Sequence, residues 1–245
     1  MPEEIGATEW LANLSTTTIV LTALALTLVR LVMVRVNHSF ARAIAELSES
    51  LVLAGIVVFL IVRPFFVQAF FIPTESMEPT LAGHNAGDST STGTHYDTTI
   101  HDHIFVNKLV YRFGRPQHGD IIVFRAERKA DIQGGQAAEN VLIKRLIGIP
   151  GDTIEVRTEP DGATSVYRNG KQLKEPYIRE PMRETPAAEY ATRGPLKLGP
   201  NELFVMGDNR NNSNDGRYWG TLPRSRVIGR ADVTFWPPSR IRSLR

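Results

Sequence analysis

A serine hydroxyl becomes a useful nucleophile only when a neighbouring group removes its proton. This 245-residue chain sets one serine in a place suited to that chemistry. The stretch Ile72-Pro73-Thr74-Glu75-Ser76-Met77-Glu78-Pro79-Thr80-Leu81 follows the last strongly apolar run near the N-terminus. Pro73 and Pro79 each fix φ and remove a backbone donor, so neither a helix nor a central strand passes through easily. Ser76 is thereby held on a stiff loop, with Phe70, Phe71, Ile72 and Met77 as apolar neighbours. Taken alone, the same stretch reads equally as a Pro-bounded turn joining two segments.

The usual base for serine is histidine, yet none of the six histidines falls in a segment that reads as a strand. Cysteine is absent, which excludes thiolate nucleophiles, thiolate metal sites and disulfides together. The G-x-S-x-G elbow is missing as well. Among the six lysines, Lys144 has the most apolar strand context, in Val141-Leu142-Ile143-Lys144-Arg145-Leu146-Ile147. Period-two alternation puts it on one face with Leu142 and Leu146. Burial there disfavours the ammonium and lowers its pKa toward that of a base. The alternative is an edge strand on which Lys144 and Arg145 deter aggregation.

A third segment, residues 207–220, is dense in Asn, Asp and Gly. Such a loop makes many side-chain-to-backbone hydrogen bonds. Ser213 could orient a neutral lysine, and Asp215 with Arg217 could brace the loop as an ion pair. An ornate but inert turn is the competing reading.

These groups need elements to position them. Residues 16–34 are almost wholly apolar, broken only by Arg30, and at helical rise span about 30 Å, the thickness of a bilayer core. Arg30 lies close enough to the end to snorkel. Residues 1–15 carry Glu3, Glu4 and Glu9 with no basic residue, unlike a secretory signal peptide. Residues 35–48 form a polar link with Arg35, His38 and Arg42, and a second apolar segment covers 49–71. The positive-inside rule puts the link in the cytoplasm and residues 72–245 on the other side. A pair of buried core helices is the alternative.

Residues 82–103 are rich in Gly, Ser, Thr and Asp and hold His84, His95, His101 and His103. No H-E-x-x-H pattern accompanies them, so they read as a solvated loop rather than a metal site. From residue 104 the pattern becomes short β-type runs, at 104–111, 120–125, 141–149, 153–156, 165–168, 202–206 and 227–235. No long amphipathic helix interrupts them. The expected body is mainly β, with coiled antiparallel sheets. Residues 175–200 read as a surface excursion. The net charge is +2 and no basic tract carries interleaved aromatics, which argues against nucleic acid as a partner.

Together the blocks Pro73-Thr74-Glu75-Ser76-Met77-Glu78-Pro79-Thr80-Leu81, Gly119-Asp120-Ile121-Ile122-Val123-Phe124, Ile143-Lys144-Arg145 with Gly148-Ile149-Pro150-Gly151-Asp152, and Gly207-Asp208-Asn209-Arg210 through Gly220 resemble the bacterial type I signal peptidases, the membrane-bound Ser/Lys proteases. The resemblance covers roughly residues 51–236. It implies Ser76 as nucleophile, Lys144 as general base and Ser213 as its orienting partner. The oxyanion would be held by the Ser76 N–H and the Thr74 hydroxyl. Phe70, Ile72, Leu142 and Ile143 would line pockets for small residues. It also implies preproteins as substrates, cut after an Ala-x-Ala-like site, no cofactor, and a multi-pass place in the bacterial inner membrane with the catalytic domain outside the cytoplasm. Thr74 stands where many members have serine, Glu75 where glycine is frequent, and the His-rich stretch is longer than the family's usual connection. A specialised pilus or secretion-system peptidase would keep every motif, and a non-catalytic membrane-anchored binding protein is the reading outside enzymology.

Overall fold

The computed structural model describes residues 15–62, 65–89, 92–126, 141–159, 163–183 and 194–245. The chain divides into two compact units, residues 1–69 and 70–245. The N-terminal segment 1–15, apart from its last residue, lies outside the described residues.

In the first unit α1 (Thr16–Met33) is capped by Ser15, whose side chain accepts the Thr18 N–H. The second helix starts at Ser39 under a His38 cap, so most of the expected polar link 35–48 is helical. This helix, α2 (Ser39–Ile56), continues as a π-helical segment Val57–Val62. It is described as far as Val62, and residues 63 and 64 lie outside the described residues. Its bounds therefore lie well ahead of the expected 49–71, and the end of that range is the strand β1 (Val67–Phe71). Ala41, Ala45 and Ser48 are its buried residues, at helical spacing, where α1 and α2 pack together. Arg30, instead of reaching out alone, pairs with Glu49 at 2.9 Å. Hydroxyls of Thr22, Thr27 and Ser48 bond the carbonyl four residues earlier, which satisfies them without water. Among the described residues Ser39–Val62 is the helix long and apolar enough to cross a membrane, and Thr17–Met33 is a shorter apolar helix.

The second unit is mainly β, as the alternating runs require. Its main sheet has eight strands: β1, β6 (His103–Asn107), β15 (Val227–Trp236), β7 (Ile121–Arg125), β8 (Val141–Gly148), β13 (Glu202–Met206) and β14 (Leu222–Pro223) in that order, with β16 (Arg242–Ser243) on β15. The first half of β15 pairs antiparallel with β7 and the second half with β6, with register shifts in both ladders. Such bulges bend a strand and increase its twist, so the sheet curls and both its faces are covered. On β7, Ile121 and Val123 enter one core cluster while Ile122 and Phe124 enter another. On β13, Leu203 and Val205 face one cluster, Phe204 and Met206 a third. A second sheet of four strands is built from β9 (Thr153–Thr158), β10 (Thr164–Arg168), β11 (Lys171–Gln172) and β12 (Leu196–Lys197).

Two expectations are corrected. The strand expected at 104–111 ends at Asn107, whose Oδ1 accepts the N–H groups of Leu109 and Val110 and starts the helical turn α3 (Val110–Phe113). The stretch 82–103 is not a plain solvated loop. It forms two small hairpins, β2 (Gly83–His84) with β5 (Ile100–His101) and β3 (Gly87–Asp88) with β4 (His95–Tyr96), which hold three of its histidines, and the fourth, His103, opens β6, so all four stand in strands after all. Thr90 and Ser91 within it, and 184–193 of the excursion 175–200, lie outside the described residues.

Asp102 closes this insertion. It is wholly buried, its Oδ2 accepts the Ala82 N–H at 2.9 Å, its own N–H donates to the Ala82 carbonyl at 2.9 Å, and Arg240 grips both its oxygens at 2.7 and 2.9 Å. Replacing it leaves a buried donor and a guanidinium unpaired. Asp102→Ala is expected to destabilise the chain by about 2–4 kcal/mol. A lower urea midpoint at unchanged slope checks this; an unmoved midpoint contradicts it.

Candidate functional site

Ser76 sits in the middle of a 3-10 turn, Glu75–Met77, that the two prolines isolate from regular structure. Met77 plugs the turn into the core beside Ile72, Leu81 and Ile143, while Ser76 keeps 8% of its surface exposed. Thr74 precedes the turn in an extended conformation and makes no cap bond, so its Oγ1 stands 3.3 Å from Ser76 Oγ.

Lys144 comes from β8, opposite Ile122 of β7, on the strand face it shares with Leu142 and Leu146. Its Nζ lies 2.8 Å from Ser76 Oγ and 3.0 Å from the Ile143 carbonyl oxygen. Burial pushes the amine down to about 8. The Asp215 and Asp208 carboxylates pull it upward, but Arg217 opposes them and burial prevails.

The loop after β13 holds this pair together. The Asn209 N–H donates to the Ser76 carbonyl at 3.1 Å, and Asn209 Nδ2 to the Glu75 carbonyl at 3.2 Å. Asp215 accepts the Gly207 N–H at 2.9 Å and Arg217 Nε at 2.9 Å. Burial alone would raise the Asp215 carboxyl, but the Arg217 guanidinium overcomes it and holds the group below its ordinary value. Arg217 also donates to the carbonyls of Arg210 and Ser213. Ser213 does not reach Lys144. Its Oγ is buried near the Asp215 carboxylate but stands in hydrogen-bond geometry with nothing. Its body packs instead against Gly207, where a Cβ would overlap both Ser213 Oγ and the Ser76 carbonyl oxygen.

The four apolar candidates divide. Phe70, Ile72 and Ile143 belong to the cluster that receives Met77, with Ile72 only 2% exposed. Leu142 packs on a different cluster with Ile122 and Phe124. Phe70 and Leu142 are the partly exposed members of the set.

Several site residues escaped the sequence reading. Asp208 is wholly buried and takes a two-point grip from Arg145 at 2.8 and 2.6 Å, with the Thr80 hydroxyl 2.5 Å from Oδ2. Arg210, equally buried, makes the same kind of grip on Glu175 at 2.7 and 2.6 Å. Glu78, two residues beyond Ser76, accepts from Tyr96 and Arg179 at 2.7 and 2.8 Å and lies 2.5 Å from His84 Nδ1. The His84 ring stacks on Tyr96 with centroids 3.7 Å apart. Gly83 lies so close to the Thr74 backbone that a side chain there would collide with it. The advance signals were the density of Asp, Asn and Arg around the glycines of 207–220 and the motif blocks that contain Glu78, Arg145, Asp208 and Arg210; which of them pair is a matter of long-range folding. Among the described residues no group of three or more His, Cys, Asp or Glu is placed to hold a metal ion.

A family model described as signal peptidase, peptidase S26, matches residues 44–236. A protein from Synechocystis sp. named probable signal peptidase I-2 is 38% identical over 196 residues, covering 80% of this chain and 75% of that protein. The signal peptidase I of Leptolyngbya laminosa is 37% identical and covers 83% and 86%. That of Mycobacterium tuberculosis is 34% identical and covers 80% and 74%.

Two stability measurements follow from this geometry. At pH 7 the folded chain must hold Lys144 either charged and desolvated or neutral below its unfolded pKa, at a cost of about 3 kcal/mol. Because the folded pKa is the lower one, that cost fades as pH rises from about 8 toward 10.5. Lys144→Met should therefore raise Tm at pH 7, and the gain should shrink by pH 10. A gain that grows with pH contradicts the assignment. Gly207→Ala should lower Tm and spread the Ser76 turn; a variant as stable as wild type contradicts the close approach.

Proposed function

The chain belongs to the signal peptidase family, peptidase S26, and from that premise we propose that Ser76 and Lys144 form the catalytic dyad of a signal peptidase I that cuts signal peptides from exported preproteins. The observation that carries the assignment is the 2.8 Å approach of a buried, low-pKa amine to a serine oxygen on a stiff turn. The neutral amine takes the hydroxyl proton as Oγ bonds to the scissile carbonyl carbon. The tetrahedral oxyanion is met by the Ser76 N–H and the Thr74 hydroxyl. A donor placed this way is worth about 3 kcal/mol in the transition state. The C–N bond then breaks, and the lysine passes its proton to the leaving amine. Neutral again, it deprotonates a water that attacks the acyl ester and frees Ser76.

Asp215, Arg217 and the buried Ser213 act on the dyad from behind. They hold the loop that bonds the Ser76 carbonyl and set the charge around the amine. Phe70 and Leu142, with the rims of Ile72 and Ile143, suit small residues before the cut. Shallow apolar walls exclude large side chains better than they choose among small ones. The two apolar helices serve as membrane spans joined on the cytoplasmic side, with residues 72–245 outside the cytoplasm.

The test uses the full chain with a preprotein whose signal ends in Ala-x-Ala. Wild type should cut after the final alanine. Ser76→Ala and Lys144→Ala should remain folded and lose activity by at least about 10³-fold. Since the working base is the neutral amine, kcat/KM should climb with pH and level off above about 8. A Lys144→Ala enzyme cutting at wild-type rate removes lysine from the mechanism. Wild type inert on several general precursors would favour a specialised peptidase or a binding protein.

A further inference from the structure

The carboxylate immediately before Ser76 takes no part in this mechanism. Glu75 is half-buried, and its Oε2 accepts from Thr92 Oγ1 and from Asn212 Nδ2, each at 3.3 Å. Both donors are neutral, and among the described residues no cation pairs with it. Its acidic neighbours differ. Glu78 is matched by Arg179, Asp208 by Arg145, Asp215 by Arg217 and Glu175 by Arg210. Four carboxylates around the dyad thus have a guanidinium each, while the one nearest the nucleophile in the chain is fixed in place with no ion pair of its own among the described residues, feeling only the more distant charge of Arg179, which is bound to Glu78. A carboxylate held in place beside the nucleophile without an ion pair of its own can receive a cation.

Its direction indicates which part of a substrate would meet it. The apolar candidates Phe70, Ile72 and Ile143 share the cluster that holds Met77, on one side of the turn. Glu75 turns elsewhere, to Thr92 of the hairpin insertion and Asn212 of the loop after β13. A peptide whose small residues before the cut lie against the apolar side would leave past Glu75 with the residues that follow the cut.

We propose that Glu75 forms a cation-preferring subsite on the leaving-group side, favouring Lys or Arg and disfavouring Asp or Glu among the first residues of the released protein. This deepens the signal peptidase reading and rests on it. The insertion acquires a role in the same step: Thr92 aims the carboxylate, and the Glu78 cluster ties the insertion to the nucleophile turn.

The experiment uses three precursors that differ only in the two residues after the cut, Ala-Ala, Lys-Lys or Glu-Glu. Each is cleaved by wild type, Glu75→Gln and Glu75→Lys, at low and at high salt. Wild type should order kcat/KM as basic, neutral, acidic, with about fivefold to tenfold between the extremes, the range expected for a half-buried charge contact. Glu75→Gln should flatten the series and Glu75→Lys should invert it. High salt should compress the wild-type order. Equal rates for the three precursors with wild type, or an unchanged order in both variants, overturns the proposal. So does a uniform fall across all three precursors in Glu75→Gln, which would mark a structural residue. Ser76→Ala tested on the neutral precursor separates the two levels. If wild type leaves that precursor uncut, or Ser76→Ala cuts it, the peptidase reading itself fails; if only the charge order is missing, the Glu75 subsite alone fails.

Discussion

The desolvation of one amine governs the structure around it. Lys144 reaches Ser76 from a strand buried between core clusters, where a charged ammonium is costly. That site works only if neighbouring charges do not restore the ammonium. Two carboxylates, Asp208 and Asp215, are close enough to pull the pKa upward. Each is gripped by an arginine, Arg145 or Arg217, at 2.6 to 2.9 Å. Of the two arginines, Arg217 offsets part of that pull on the amine. Removing Arg217 would do more than loosen a loop, because the Asp215 carboxylate would then draw the lysine further toward its protonated form. That ion pair is thus electrostatic insulation as much as a brace.

Geometry is fixed by the backbone as much as by side chains. Asn209 bonds the carbonyls of Glu75 and Ser76, so the turn is held by groups that do not titrate near neutrality. Met77 anchors the same turn in the core. Gly207 lets the loop approach so closely that Ser213 and the Ser76 carbonyl pack against its Cα. Ser76 therefore has little freedom to drift from Lys144 on another strand, which is what the proposed reaction between two preplaced groups requires.

Ser76 and Lys144, which the structure brings within 2.8 Å of each other, could be picked out of the sequence because their signals are local. Two prolines isolating a serine, a lysine inside an apolar alternation and an Asn/Asp/Gly loop are each visible in about ten residues. The main strands were legible for the same reason, since β7 and β13 alternate between two cores. What escaped was the pairing of distant charges. Arg145 with Asp208, Arg210 with Glu175 and Glu78 with Arg179 join residues 35 to 101 positions apart. Composition shows the charges without showing which will meet. Asn107 ended a strand that its apolar neighbours favoured, because its side chain satisfies the next two N–H groups. Ser213 shows another limit: it lies in the loop the sequence singled out, but its buried hydroxyl sits near Asp215 and makes no hydrogen bond to Lys144. The histidines misled because their polar surroundings resemble a solvated loop, whereas stacking on Tyr96 and contact with Glu78 draw His84 inward.

The closure at Ala82 and Asp102 has an evolutionary side. The two ends of the hairpin insertion are neighbours, joined by two hydrogen bonds. To the main sheet, the chain enters and leaves at one point. Segments attached in this way can lengthen, shorten or be exchanged with small effect on the fold beneath, since doubling a loop adds only about 0.6 kcal/mol of closure entropy. Inheritance can therefore remodel the rim of the cleft almost independently of the dyad. The exception is Glu78, a buried carboxylate that any replacement segment must still supply with donors.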